Sequence, residues 1–216
     1  MNKNTFWLIT LLFSLSLGFV SCAEDTPVED PYANWEERNE LYLDSIVRVA
    51  RNHSTGENWE IYKNYKIEIS TPGGNIINPY PLHEYDSVYV KVFTKGDGII
   101  PMSTDTVSVA YQGFLMNGVR FDGNYTGKFN PEVNDNFTSF NVDGVITGWT
   151  TALLHMNKGT FAEVYIPYQM AYGKNGNGSI PEYSVLKFEI FLNDVMHPKG
   201  PDDRSRKMQN EVVDLK

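Results

Sequence analysis

The chain has a single cysteine, Cys22, among its 216 residues, so no internal disulfide can brace it. Its four histidines, His53, His83, His155 and His197, are scattered without metal-ligand spacing, and no metal site is expected. There is no glycine-rich phosphate loop and no nucleophile elbow, so nucleotide and hydrolase chemistry lack their usual signatures. Basic side chains are few, 18 Lys and Arg against 27 Asp and Glu; such a surface repels phosphate backbones, and no nucleic-acid partner is expected. The one basic cluster, Arg204 to Lys207, follows directly on Asp202 and Asp203. No internal repeat is visible, no apolar run reaches the roughly 20 residues that span a bilayer, and nothing calls for a cofactor.

At the start of the chain, Met1, Asn2 and Lys3 lead into an apolar run from Phe6 to Val20, then Ser21 and Cys22, the charged, apolar and small order of a secretory signal. The segment resembles a bacterial lipobox. That resemblance implies cleavage ahead of Cys22, which then carries lipid and holds the protein at a membrane surface of the cell envelope. The alternative is an ordinary signal peptide with a cysteine near its cut. Removing residues 1–21 takes Lys3 away and leaves 17 basic against 27 acidic side chains, a formal charge of −10. Residues 22–33 are acidic, contain Pro27 and Pro31, and read as a tether.

Residues 34–84 form a separate extension. Asn34 with Glu37 looks like a capping pair, and Trp35, Tyr42, Ile46 and Val49 recur at helical spacing up to about Asn52. This amphipathic helix either covers the main domain or makes a homodimer contact. Trp59 to Tyr62 and Tyr65 to Ile69 both look strand-like, with a turn at Thr71 to Asn75. From Ser87 the alternation is clean: Val88, Val90 and Val92 on one face, then Val107, Val109 and Tyr111, with a turn region at Gly96-Asp97-Gly98 between them. Two further strands run from Thr160 to Pro167 and from Val185 to about Val195. Between the pairs lies one short helix, where Trp149, Ala152, Leu153 and Met156 make an apolar stripe that Gly159 closes. Strands grouped around one helix predict an α+β domain over residues 85–196, with 197–216 a charged tail.

The chemistry-bearing residues are aromatics punctuated by glycines: Tyr111-Gln-Gly113, Phe121-Asp122, Phe140, Val145-Ile146-Thr-Gly148-Trp149, Ala171-Tyr172-Gly173, Ile180-Pro181 and Leu186-Lys-Phe188. In order, type and spacing this set resembles the FKBP family of peptidyl-prolyl isomerases, over roughly Asp86 to Met196. With the lipobox, it resembles a Bacteroidetes-like lipoprotein of that family. The resemblance implies an antiparallel half-barrel sheet wrapped on one short helix, an isomerase active on proline-containing polypeptides, and an outer-membrane position facing the periplasm or the surface. It implies Tyr111, Asp122 and Tyr172 as the polar catalytic groups. Phe121, Phe140, Val145, Ile146, Trp149, Ile180 and Phe188 become the substrate-binding walls, with Trp149 as the floor. The Tyr172 hydroxyl and the Ile146 N–H would meet ligand carbonyls.

Taken one at a time, Phe188, Val145 and Trp149 would be ordinary core residues, Asp122 a turn residue before Gly123-Asn124, and Tyr172 a loop tyrosine; the whole set carries the reading. The stretch between Asp122 and Phe140, residues 123–139, is several residues longer than the compact family loop, and Tyr125, Phe129 and Phe137 are candidates to enter the cavity. Glu182 follows Pro181 where many relatives carry a second proline, and the loop Lys174 to Ser179 is rich in Gly and Asn. A non-catalytic peptide-binding module or holdase using the same groove is the competing function. Three triplets, Asp44-Ser45-Ile46, Asp86-Ser87-Val88 and Asp105-Thr106-Val107, resemble O-glycosylation sites of some anaerobic bacteria.

Overall fold

The computed structural model describes residues 30–52, 57–69 and 83–198. Cys22, the signal segment, most of the tether and most of the charged tail lie outside the described residues, as does the turn expected at Thr71 to Asn75. The chain divides into two units, Met1–Ala33 and Asn34–Lys216. Of the first, the described part is a turn in which the Ala33 N–H donates to the Asp30 carbonyl.

The elements of the second unit are helix α1 (Trp35–Asn52), strand β1 (Asn58–Lys63), the short helix α2 (Tyr65–Ile69), and strands β2 (Ser87–Thr94), β3 (Thr106–Leu115), β4 (Arg120–Gly123) and β5 (Thr138–Asn141). Helix α3 (Thr147–Leu153), β6 (Phe161–Ile166) and β7 (Leu186–Met196) complete it. All strands join one antiparallel sheet in the order β1-β2-β6-β7-β3-β4, with β5 also on β3. β2 and β3, adjacent in sequence, therefore do not pair. β6 and β7 lie between them, and the Gly96 to Gly98 segment is no hairpin turn: the Gly98 N–H bonds Lys158 O instead.

Alternation along the strands sends one set of side chains to each face. Val88, Val90, Val107, Val109, Val164, Leu186, Phe188, Ile190 and Leu192 meet Trp149, Ala152, Leu153 and Met156 in the main core. Gly148 permits this approach, because a Cβ there would lie 2.2 Å from Ile166 Cγ2. The opposite face is also covered, which is why β2 is buried on both sides. Over β1, β2 and β6, helix α1 buries Leu43, Val47 and Ala50 against Trp59, Tyr89, Tyr165 and Val185.

The buried stripe of α1 is Trp35, Asn39, Leu43, Val47 and Ala50; Tyr42, Ile46 and Val49, taken from the sequence as its apolar face, flank it half-buried. Asn39 is buried because its amide bridges, donating to Trp35 O at 2.7 Å and accepting from the Val185 N–H at 2.8 Å. Trp35 Nε1 donates to Ser184 Oγ at 2.9 Å. Asn34 does not have the extended backbone of an N-cap; its φ is 51°, and its carbonyl accepts the Arg38 N–H. Tyr65 to Ile69 is a helical turn rather than a strand. Asn64 side-chain Oδ1 accepts the Lys66 N–H and its carbonyl accepts that of Ile67, capping a turn that five alternating residues alone could not disclose.

Candidate binding cavity and its supports

Strand β3 brings Tyr111 to the inner face, β4 carries Phe121 and Asp122, β5 carries Phe140, the residues leading into α3 supply Val145 and Ile146, α3 itself supplies Trp149, and β7 supplies Phe188. These residues, with Tyr172 and Gly144, line one cavity of about 410 Å³. That lies within the roughly 300–1,000 Å³ of ordinary small-ligand sites. Trp149, 4% exposed, stands edge-on to three rings: Tyr111 at 5.2 Å, Phe140 at 5.6 Å and Phe188 at 5.2 Å between centroids. Phe121 meets Phe188 edge-on at 5.5 Å. The perpendicular contacts are the geometry that ring quadrupoles favour, and they leave an apolar, rigid floor.

The polar side is built from Tyr111 and Asp122. The Tyr111 hydroxyl donates to Asp122 Oδ2 at 3.0 Å, and the Gly123 N–H donates to Asp122 Oδ1 at 2.7 Å. Burial first, then the hydrogen bond to the carboxylate, push the Tyr111 hydroxyl up to about 12, so it stays a proton donor at any physiological pH. Gly113 on β3 leaves room for this wall, since a Cβ there would sit 2.7 Å from both Phe121 and Phe188. Among the described residues, no hydrogen bond engages the Tyr172 hydroxyl, which stays available to a ligand.

Nine of the ten residues singled out in the sequence thus meet at one cavity. Ile180 is not among the lining residues: it is 6% exposed and packs in the main core with Trp149 and Phe188, where Asn177 and Ile180 exchange backbone hydrogen bonds. Gly144 lines the cavity but carried no sequence signal, having no side chain to give one. Tyr125, Phe129 and Phe137 do not enter. They fold onto the opposite face of the sheet with Ala110, Phe161 and Phe191, Phe129 lying 4.9 Å from Phe161 and 4.8 Å from Phe191. Polar contacts pin this cover: the Tyr125 hydroxyl donates to Glu189 at 2.9 Å, and Gln112 Nε2 to Gly127 O at 2.9 Å. His155 stacks on Tyr62 at 4.2 Å, away from the cavity. Among the described residues, no three His, Cys, Asp or Glu side chains converge as a metal site would.

Comparison with known proteins finds similarity to one family. Residues 98–193 match the model of the FKBP-type peptidyl-prolyl cis-trans isomerases. The chain is 42% identical over 105 residues to the FKBP-type isomerase FkpA of Escherichia coli, covering 49% of this chain and 36% of that protein. It is 37% identical over 103 residues to the outer membrane protein MIP of Legionella longbeachae, covering 47% of this chain and 41% of the relative. The crystal structure of Escherichia coli FkpA aligns with a TM-score of 0.46 at 25% identity, over 91% of this chain and 83% of that one. The matched segment is thus similar to the FKBP-type peptidyl-prolyl cis-trans isomerases, and its fold, an open antiparallel sheet on one short helix, is FKBP-like. The chain spans well under half the length of these two curated relatives.

Proposed function

We propose that this chain is a peptidyl-prolyl cis-trans isomerase acting on X-Pro bonds of exported or envelope proteins. The observation that carries this reading is the cavity floored by Trp149, apolar on most sides and polar where Tyr111 donates to Asp122. An X-Pro bond resists rotation by about 18–20 kcal/mol because of amide resonance. No covalent bond need break. Twisting the amide removes resonance and much of its dipole, so an apolar, water-poor cavity favours the twisted form over the planar one more than water does. Turnover of order 10³ per second needs a barrier of about 13 kcal/mol, hence a reduction of roughly 5–7 kcal/mol. In this reading Trp149, Phe121, Phe140, Val145, Ile146 and Phe188 hold the prolyl ring. Tyr111, Asp122 and Tyr172 supply the polar contacts, with Ile180 in the same core as Trp149 and Phe188.

The decisive experiment follows refolding of a proline-limited substrate protein. An isomerase speeds the slow phase at substoichiometric amounts. A holdase using the same groove protects only at stoichiometric amounts and leaves the rate unchanged, and that result would replace this reading with the binding module.

The same proposal assigns Cys22 as the lipid site anchoring the protein to the outer membrane, on the order of charged, apolar and small residues before it. Labelled fatty acid should enter the wild type and not Cys22→Ser; equal labelling contradicts the anchor. A homodimer through α1 would use the helix's outward side, where Leu41 is 60% exposed, since its buried stripe is already spent on the sheet. Sedimentation at rising concentration tests it, and a monomer throughout removes it.

A further inference from the structure

β3 has an interrupted outer edge. It pairs with β4 at Gln112 and Gly123 and with β5 at Val109 and Thr138, so Ala110 and Tyr111 fall between the two partner strands. Asn124 occupies the gap. Its backbone N–H donates to Tyr111 O at 3.0 Å, its side-chain Oδ1 accepts the Tyr111 N–H at 2.9 Å, and its Nδ2 donates to Val109 O at 2.9 Å and Thr138 Oγ1 at 3.0 Å. A second amide locks the first, Asn136 Nδ2 donating to Asn124 O at 2.6 Å. The side chain thus does for Tyr111 what a missing strand residue would do, satisfying backbone groups that have no other ladder partner. Gly123 makes the approach feasible: its φ is 139°, and a Cβ there would lie 2.6 Å from Tyr111 O.

We propose that Asn124 is a positioning residue for the isomerase site, setting the Tyr111 hydroxyl against Asp122 by clamping the Tyr111 backbone to the end of β4. The inference rests on the isomerase reading above. Asn124 lies two residues after Asp122, so one amide fixes both partners: the strand bearing the hydroxyl donor and the strand end bearing its carboxylate acceptor. Without the clamp, Tyr111 keeps its ring contacts with Trp149 and Phe140 but loses the backbone anchor that holds its hydroxyl in register. Misplacements of about 1 Å in such groups cost of order 10²-fold in rate.

The test substitutes Asn124→Leu, similar in size and unable to hydrogen-bond, in the full chain, with cis-trans exchange of an X-Pro peptide read by NMR. The expected result is a fall in kcat of about tenfold or more with KM changed less than about threefold. The cycle with Tyr111→Phe separates positioning from general damage: if Asn124 acts through the hydroxyl, Asn124→Leu costs little in the Tyr111→Phe background. An equal cost in both backgrounds overturns the proposal. If Asn124→Leu does not fold, Asn124→Asp, which keeps the acceptor for the Tyr111 N–H and loses the Nδ2 donors, takes its place in the same cycle. Crystal structures of wild type and variant decide the matter independently of activity. Loss of the 3.0 Å bond from Tyr111 to Asp122 supports the clamp, and its retention refutes it. A wild type without activity sinks the isomerase reading alone.

Discussion

Phe129→Ala separates the two faces of the sheet. Phe129 is 8% exposed and packs on Tyr125, Phe161 and Phe191, with ring centroids 4.8–5.2 Å away. Truncating a buried Phe costs about 3–5 kcal/mol. The surrounding loop is near the surface and can partly collapse into the space, so the lower end, about 3 kcal/mol, applies. For a unit of this size each kcal/mol moves the melting temperature by about 2–4 °C, giving a drop of about 6–12 °C. Phe129 contributes nothing to the cavity wall, and the ring of hydrogen bonds on Asn124 does not involve it. Peptide isomerase activity of the folded variant should therefore stay within about threefold of wild type. Thermal denaturation and the peptide assay on one preparation measure both quantities. A stable variant with altered peptide affinity would refute the reasoning and return Phe129 to the cavity rim.

Asn39→Ala should cost about 2 kcal/mol in denaturant unfolding, because it leaves the buried Val185 N–H without its partner; a loss below about 0.5 kcal/mol would detach α1 from the folded unit. Gly148→Ala places a methyl group against Ile166 beside the cavity floor, and both stability, by about 1–3 kcal/mol, and isomerase activity should fall; unchanged activity would contradict the close approach. The Tyr111 hydroxyl is raised in the folded state from 10.0 to about 12, so the folded form holds its proton more tightly. The stability this supplies is complete below pH 10 and is lost as pH rises from 10 toward about 12. Unfolding measured across that window should show a shallower decline in Tyr111→Phe, and identical slopes would place the hydroxyl in solvent.

The floor and walls of the cavity were legible in the sequence through the resemblance of the whole set to one family, since Val145, Trp149 or Phe188 taken singly reads as an ordinary core residue. Elements defined by distant partners were not. β4 and β5 are four residues each, too short for alternation to register, and exist because β3 offers them an edge. The separation of β2 from β3 depends on β6 and β7, which follow later in the chain, inserting between them. Phe129 found its place through Phe161 and Phe191, and Asn39 its burial through Val185, contacts that no local window contains. Ile180, which the family resemblance assigns to a wall, is 6% exposed and packs in the main core. Of the three Asp-Ser/Thr triplets, Asp44-Ser45 sits on the open side of α1, while Asp105 is fully buried and bonded to His197 at 2.7 Å, a distinction invisible in the triplet itself.

The most direct test of the central claim is the rate at which the full chain exchanges the cis and trans forms of a short X-Pro peptide, followed by NMR alongside folded Asp122→Ala and Trp149→Leu. Uncatalysed exchange takes about 10–100 s at 25 °C, so catalysis stands out clearly. The account predicts strong acceleration by the wild type that falls at least tenfold in both variants. A folded wild type that leaves the peptide at its uncatalysed rate would contradict it.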